Sequence, residues 1–215
     1  MIQLFITNDM KISTASFFTA LAILFGLSTV SSCSHTERFA GAWQGNPERL
    51  EVQGAADATS TVTIDFAPTE GRRGTGTVNL SAVIEVEQAV SSFSGFDEGY
   101  ETSVAATASI IGRYVCEEND DDDILVTFDP ASLKVNVDPA GVTFSQNLLS
   151  GTQQPVLDSL TAVCADRWRV ALAPVIRDAF GKYTRIDDIK IHHSDIMSCE
   201  IGDRDYTFRR TGTIN

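Results

Sequence analysis

The stretch Tyr100–Cys116, YETSVAATASIIGRYVC, decides the fold class of this chain. Its even-numbered positions from Thr102 to Tyr114 carry mostly apolar or small side chains, and most positions between them are polar. Alternation with a period of two places one set of side chains against a core and the other set in water. The pattern therefore predicts one long strand of an antiparallel sheet with a single buried face.

Shorter segments on both sides of this stretch repeat the pattern. Thr61–Phe66 and Thr77–Glu87 alternate in the same way, with Val83 as a break in the second segment. Further short strands are predicted at Ile124–Phe128, Leu133–Val137, Ile196–Ile201 and Tyr206–Arg210. Regular strands with short turns predict a mainly β fold, an antiparallel up-and-down barrel of about eight strands, because closure removes exposed sheet edges.

One segment before the last strands has a helical period. Apolar residues recur there at spacings of three and four: Val156, Leu157, Leu160, Val163, Cys164, Trp168, Leu172, Ile176 and Phe180. This stripe predicts a long helix at about 155–180 that begins after Pro155 and ends at Gly181. We expect Pro174 to kink the helix or to divide it in two. The helix is expected to pack over one barrel opening or against the outer wall, with its stripe in the core.

The start of the chain has the features of an export signal. Val30-Ser31-Ser32-Cys33 follows an apolar run, and Met10-Lys11 precede that run. A short charged region, an apolar stretch and small residues before a cysteine are typical of a bacterial secretion signal. The last four residues resemble the lipobox of bacterial lipoproteins, where a peptidase cuts before the cysteine and the cysteine carries lipid such as palmitate. An uncleaved anchor helix is the alternative, although the apolar run is short for a membrane span.

The resemblance to lipoproteins implies a division of the chain into three parts. Residues 1–32 are then a signal peptide, residues 33–38 are the lipidated Cys33 and a tether, and residues 39–215 are the barrel domain. Ser34 after the lipidated cysteine implies the bacterial outer membrane, and the periplasmic and the surface face both stay open. Met10 is an alternative start to Met1.

The chain is strongly acidic, with a formal net charge of −13 over 215 residues. Removal of residues 1–32 leaves 183 residues, enough for one domain with a core, and keeps the charge because Asp9 and Lys11 cancel. Nucleic acid is not expected as a partner, because its phosphates need basic patches. The charge would also keep a tethered domain soluble and repel it from an anionic membrane surface.

Three cysteines follow Cys33 in the chain: Cys116, Cys164 and Cys199. An odd number in an exported protein means that at least one thiol is unpaired or pairs with another molecule. The sequence contains no CxxC motif, so neither a zinc knuckle nor a thioredoxin-type site is expected. We expect small buried side chains with at most one disulfide, whose pairing stays open.

Two short motifs mark the ends of the predicted barrel. Gly41-Ala42-Trp43 stands before the first strand, and alternation along the last strand points Arg210 to the same side as Phe208, with Arg209 on the other. This arrangement resembles the glycine-x-tryptophan signature of lipocalins and the wider calycin group, and especially the lipocalin-like lipoproteins of bacteria. The resemblance implies a structural barrel floor of Gly41, Trp43 and Arg210, with the guanidinium packed across the indole. The long helix departs from the family, and no clear second lipocalin motif is found.

The inward face of the long strand carries small residues at Ala106, Ala108 and Gly112. Small inward side chains leave room, and a barrel of eight strands can just hold one small ligand. These three residues are therefore candidates for the lining of a cavity. The alternatives are that Phe, Leu or Trp side chains fill the space, or that the small residues mark where the helix packs.

The densest charge lies in Glu117–Asp123, where seven consecutive side chains carry oxygen. Calcium binds six to eight oxygens, which makes Asp120, Asp121, Asp122 and Asp123 a weak calcium candidate. The run lacks the glycine and the closing glutamate of an EF-hand, so we favour a solvated acidic hairpin loop. His192 and His193 lie in a predicted strand and would point to opposite faces, which disfavours a shared metal.

The sequence contains no GxSxG, P-loop or HExxH motif, and we expect neither an enzyme nor a cofactor. The leading hypothesis is a lipid-anchored envelope protein that binds a small, partly apolar ligand in its barrel without catalysis. The alternative is a filled barrel that acts in protein interaction or envelope assembly through its rim and helix.

Overall fold

A computed structural model describes residues 38–70, 74–90, 100–117, 120–145 and 154–211. The strands are β1 (Gly41–Gln44), β2 (Glu48–Arg49), β3 (Asp57–Pro68), β4 (Thr75–Val90), β5 (Tyr100–Glu117), β6 (Asp120–Phe128), β7 (Lys134–Phe144), β8 (Arg185–His192), β9 (Ile196–Glu200) and β10 (Asp205–Thr211). Helix α1 spans Gln154–Gly181, and short 3-10 turns at Pro130–Ser132 and Lys182–Thr184 precede β7 and β8. The predicted signal peptide and Cys33 lie outside the described residues.

Eight of the described strands form a closed antiparallel barrel. Their order is β1-β10-β9-β8-β6-β5-β4-β3, and β1 pairs with both β10 and β3, which closes the ring. β2 and β7 are additional strands that pair with β3 and β5. The predicted mainly β barrel with one helix before the last strands is therefore confirmed.

The barrel interior follows the alternation in the sequence. Every even-numbered residue of β5 from Thr102 to Tyr114 is buried, and so are Val62, Ile64 and Phe66 on β3. Burial of apolar surface contributes about 25 cal/mol per Å², so each strand is held by its inward face. The opposite faces of these strands carry mainly hydroxyl, amide and charged side chains, which remain in contact with water.

The strand order departs from a simple up-and-down path at β7. β5 has 18 residues, whereas β6 has nine. The half of β5 from Gly112 onward pairs with β6, and the half from Thr102 to Ser109 pairs with β7. β7 therefore returns to β5, and β6 pairs with β8 instead. The eight strands of the ring keep the predicted up-and-down order, and β7 is an additional strand, because a strand as long as β5 can take two partners along one edge.

α1 lies within one residue of both predicted helix ends. Its buried residues form one stripe: Leu157, Cys164, Ala165, Trp168, Leu172, Ile176 and Phe180. The helix packs against β7 and β5, and all of this stripe except Leu157 joins the hydrophobic core of the barrel. None of the helices in the described ranges is both long and apolar enough to cross a membrane.

The helix continues through Pro174 and is not divided there. Proline lacks the N–H that would bond to the carbonyl of Val170, four residues earlier. Both residues are exposed, so water can bond to that carbonyl in place of the missing donor. The proline therefore lies on the face of α1 where an interruption of the hydrogen bonds costs least.

Candidate functional site

The barrel floor is built around Trp43 on β1. Its side chain is fully buried, and its indole N–H donates to the Phe39 carbonyl at 2.7 Å. Arg210 on β10 is the antiparallel partner of Trp43, and its Cζ lies 4.0 Å from the centroid of the indole ring. The electron-rich face of the indole stabilises the guanidinium charge. The two side chains thus form the contact that the lipocalin resemblance implies.

Arg210 also joins two backbone segments. Its Nη1 donates to the Ala40 carbonyl at 2.6 Å and its Nη2 donates to the Arg38 carbonyl at 3.1 Å. Its Nε donates to the Ser194 carbonyl at 2.9 Å. Hydrogen bonds from a charged donor are stronger than neutral ones. The guanidinium therefore connects the segment that enters β1 with the turn between β8 and β9, which the sequence alone did not indicate.

Gly41 gives this guanidinium its space. The residue has a φ of +99°, and a Cβ placed there would come within 3.1 Å of the Arg210 Nη1 atom. Glycine adopts such a φ without a steric penalty. The third predicted floor residue thus acts through its backbone and through the absence of a side chain.

Three buried aromatic rings fill the interior beside the floor. Phe39, Phe66 and Tyr114 contact one another edge to face, with ring centroids 5.1 to 5.9 Å apart. Burial raises the pKa of the Tyr114 phenol far above its usual value, so this hydroxyl stays protonated. The alternation in β3 and β5 pointed Phe66 and Tyr114 inward, but no pattern in the sequence identified Phe39.

The two adjacent histidines do not share a strand. β8 ends at His192, whose Nε2 lies 3.0 Å from Ser198 Oγ. His193 and Ser194 form the turn between β8 and β9, with φ values of +52° and +65°. The turn has three residues, His193–Asp195, because His192 pairs with Ile196. The predicted placement of His193 in the strand is wrong, because the chain turns there.

Of the acidic run, Glu117 ends β5 and Asp120–Asp123 form the start of β6, where the sequence predicted a loop. The side chains of Asp120 and Asp121 lie outside the described set. Asp122 forms an ion pair with Arg38, and the Asp123 carboxylate lies 3.7 Å from Arg185 Nη2. Within the described ranges, no three His, Cys, Asp or Glu side chains are placed to hold a metal ion. The described carboxylates of the calcium candidate are thus paired with arginines of the protein itself.

The small inward residues of β5 lie against neighbouring strands of the barrel. Ala106 and Ala108 are buried, and each pairs across strands with a residue of β4 and a residue of β7. α1 packs against β5 and β7, and its Trp168 belongs to the same core as the two alanines. A Cβ on Gly112 would come within 2.8 Å of the Phe128 ring, so that ring occupies the space. These residues border packed side chains of the protein.

Two of the cysteines are buried core residues. Cys164 on α1 and Cys199 on β9 have free thiols, and Cys116 on β5 is partly buried. Burial raises the pKa of the Cys164 thiol and raises the pKa of the Cys199 thiol to about 12. A thiol that stays protonated is a poor nucleophile and a poor metal ligand. These two side chains therefore contribute packing and not reactivity.

A groove of about 660 Å³ lies on the outside of the barrel, across β3, β4 and β5. Its walls include Asp65, Asn79, Ile111 and Lys134, and the turn that carries Ser132 borders it. Ser132 Oγ accepts from the Ile111 N–H at 2.9 Å and so fixes this turn against β5. The groove is open to solvent, and most of its side chains are exposed.

Comparison with family models, curated proteins and solved structures finds no match for this chain. The closed antiparallel barrel of eight strands is consistent with a calycin-like fold. Inferences about function therefore depend on the geometry of this chain.

Proposed function

We propose that this protein is a lipid-anchored, non-catalytic interaction component of the bacterial cell envelope. In this proposal Cys33 attaches it to the outer membrane, and a filled, lipocalin-like barrel serves as the scaffold for contacts made through its rim and α1. The observation that carries the proposal is that one continuous core contains both the barrel interior and the buried stripe of the helix.

The interior supports this proposal because large side chains of the protein occupy it. Trp43, Phe66, Tyr114 and Phe208 are fully buried in the barrel, and Trp168, Leu172, Ile176 and Phe180 enter the same core from α1. Protein interiors are packed as densely as organic crystals. A barrel filled in this way offers its outer surface for recognition.

The exposed face of α1 supports it as well. Val156, Val163 and Val170 recur at intervals of seven residues, and they are 44, 55 and 61% exposed. Residues seven apart lie on one side of a helix, so the three valines face the same side of α1, about 10 Å apart along its axis. A partner that covers this side would bury all three side chains.

Photocrosslinking in the native bacterium tests this proposal. A photoreactive amino acid replaces Val163 in the full-length chain, and the matched control carries it at Val83, a 52% exposed valine on the barrel wall. We expect crosslinks from position 163 to one predominant envelope protein and few from position 83. Equal, scattered crosslinks at the two positions would contradict an interaction through α1.

The lipid attachment has a separate test. Full-length protein should incorporate labelled palmitate and fractionate with the outer membrane, and Cys33→Ser should abolish both. Two acyl chains are needed for stable anchoring, because one gives only marginal membrane binding. A Cys33→Ser variant that keeps the label would disprove lipidation at this residue.

A second candidate function is the binding of a small, partly apolar ligand inside the barrel. It is favoured by the Thr102 hydroxyl on β5, which is buried without a hydrogen-bond partner, on the same inward face as Ala106 and Ala108. A buried hydroxyl without a hydrogen-bond partner costs free energy, and a ligand that bonds to it would remove this cost. Native mass spectrometry of the detergent-extracted chain distinguishes the two functions. Extra mass lost on denaturation, beyond that of the anchor, would favour the carrier, and a bare mass favours the filled barrel.

A further inference from the structure

The polypeptide is held in place from Arg38 onward. Phe39 is fully buried, and Arg210 donates hydrogen bonds to the carbonyls of Arg38 and Ala40. The Arg38 side chain forms an ion pair with Asp122 at the start of β6. The last residue of the predicted tether, Arg38, and the residues after it are thus fixed to one end of the barrel by packing, hydrogen bonds and charge.

We call this end the floor end, and it contains Arg38, Asp122 and the β8–β9 turn at His193–Asp195. The turn belongs there because the Arg210 N–H donates to the Asp195 carbonyl at 2.8 Å. The opposite or far end contains the turn between β2 and β3, with Gln53 at its tip. β3 runs between the two ends, and its 12 residues cover about 36 to 40 Å along the strand, which is about 25 to 33 Å along the barrel axis at the usual strand tilt.

The length of the tether limits the orientations that a lipid at Cys33 allows. Five residue steps separate Cys33 from Arg38, and a fully extended chain covers at most about 18 Å over that length. This reach is shorter than the distance between the two ends of the barrel. The far end therefore cannot face the membrane while Arg38 stays bound at the floor end.

We propose that the floor end faces the lipid headgroups and that the far end points away from the membrane. This inference rests on the proposed attachment of lipid at Cys33. The acidic run also lies at this end, where Arg38 pairs with Asp122 and Arg185 lies within 3.7 Å of Glu117 and Asp123. This partial neutralisation reduces the repulsion of the floor end from anionic headgroups.

Energy transfer from the protein to labelled lipid headgroups tests the orientation. The full-length lipidated chain is placed in vesicles of outer-membrane phospholipids, with a donor dye on a new cysteine in Asp195→Cys at the floor end or in Gln53→Cys at the far end. Both positions are exposed, and the unmodified chain reports any labelling of the native cysteines. We expect transfer at least about twofold stronger from position 195, because the two ends are tens of ångströms apart.

Equal transfer from both positions, or stronger transfer from position 53, would overturn the orientation. Sedimentation of the same samples keeps this result separate from the lipid attachment. If the unmodified chain does not sediment with vesicles, or if Cys33→Ser sediments equally well, the proposed attachment itself fails. Sedimentation that depends on Cys33, combined with transfer that is not stronger at position 195, overturns only the orientation.

Discussion

Tyr114 and Gly76 face each other across β5 and β4, and the phenol ring occupies the space where a side chain at Gly76 would begin. A Cβ at this glycine would come within 2.5 Å of Tyr114 Cε1 and would also meet the backbone carbonyl of Ala67. The cross-strand pair thus lets a large aromatic residue of the core lie directly against a neighbouring strand.

Gly76→Ala should therefore destabilise the barrel by about 1 to 3 kcal/mol, as is typical of overpacking a core. Urea denaturation followed by tryptophan fluorescence measures the free energy of unfolding. Gly181→Ala is the matched control, because a Cβ there meets nothing within 4 Å. Equal losses in the two variants would show that the Tyr114 contact is not the cause.

Arg210→Ala should lower the free energy of unfolding by about 1 to 3 kcal/mol, because it uncovers Trp43 and leaves three carbonyls without their donor. Arg209→Ala, an exposed neighbour on the opposite face of β10, should change stability by less than about 0.5 kcal/mol. Arg210→Lys should restore only part of the loss, since an ammonium has no planar fork. If Arg210→Ala leaves the free energy of unfolding unchanged, the contact of Arg210 with Trp43 does not stabilise the domain.

Ser194→Gly should stabilise the protein by about 1 kcal/mol. Ser194 has a φ of +65°, a conformation that costs a non-glycine residue free energy but suits glycine. The carbonyl of residue 194 can still accept from the Arg210 Nε, because this bond uses no side-chain atom of residue 194. Ser109→Gly, in the middle of β5, serves as the control and should destabilise. A fall in the melting temperature of Ser194→Gly would contradict strain at this turn.

Stability should fall as the pH rises above about 8.5, where the Cys199 thiol of the unfolded chain begins to ionise. In the folded state burial raises the pKa of this thiol to about 12, so the native form keeps its proton longer. The unfolded state then binds fewer protons than the folded state, and the free energy of unfolding decreases with pH until the folded pKa is passed. Denaturation at several pH values measures the slope.

Cys199→Ala should make this slope shallower, whatever its effect on stability at neutral pH. Ser198→Ala, on the same strand, is the control and should keep the slope of the unmodified protein. Identical slopes in Cys199→Ala and the unmodified protein would assign the alkaline loss to other groups, such as the buried Tyr183, whose pKa is also raised by burial.

Periodicity in the sequence was sufficient to predict the long strands and the helix, because burial of one face imposes it directly, whereas the short strands β1 and β2 were not predicted. The pairing of Trp43 with Arg210 followed from alternation on β10 together with the family resemblance. The return of β7 to β5 could not be predicted, since it depends on the relative lengths of strands distant in sequence. The turn at His193–Asp195 was missed because it lacks the glycine that normally marks short hairpin loops.

The hydrogen-bond acceptors of the Arg210 guanidinium could not be predicted from the sequence either. All three are backbone carbonyls, and a carbonyl carries no signature of residue type. The packing of Phe128 against Gly112 was also missed, because small residues on an inward face signal either a cavity or a close contact.

The pairing of β1 with β10 has a consequence for the order of folding. The contact between Arg210 and Ala40 joins residues 170 positions apart, so the ring cannot close until the last strand is available. Contacts between residues so distant in the chain slow folding, because the loop entropy must be overcome before they form. A chain that passes through a membrane channel from its N-terminus would therefore stay unclosed, and suited to transport, until almost all of it had crossed.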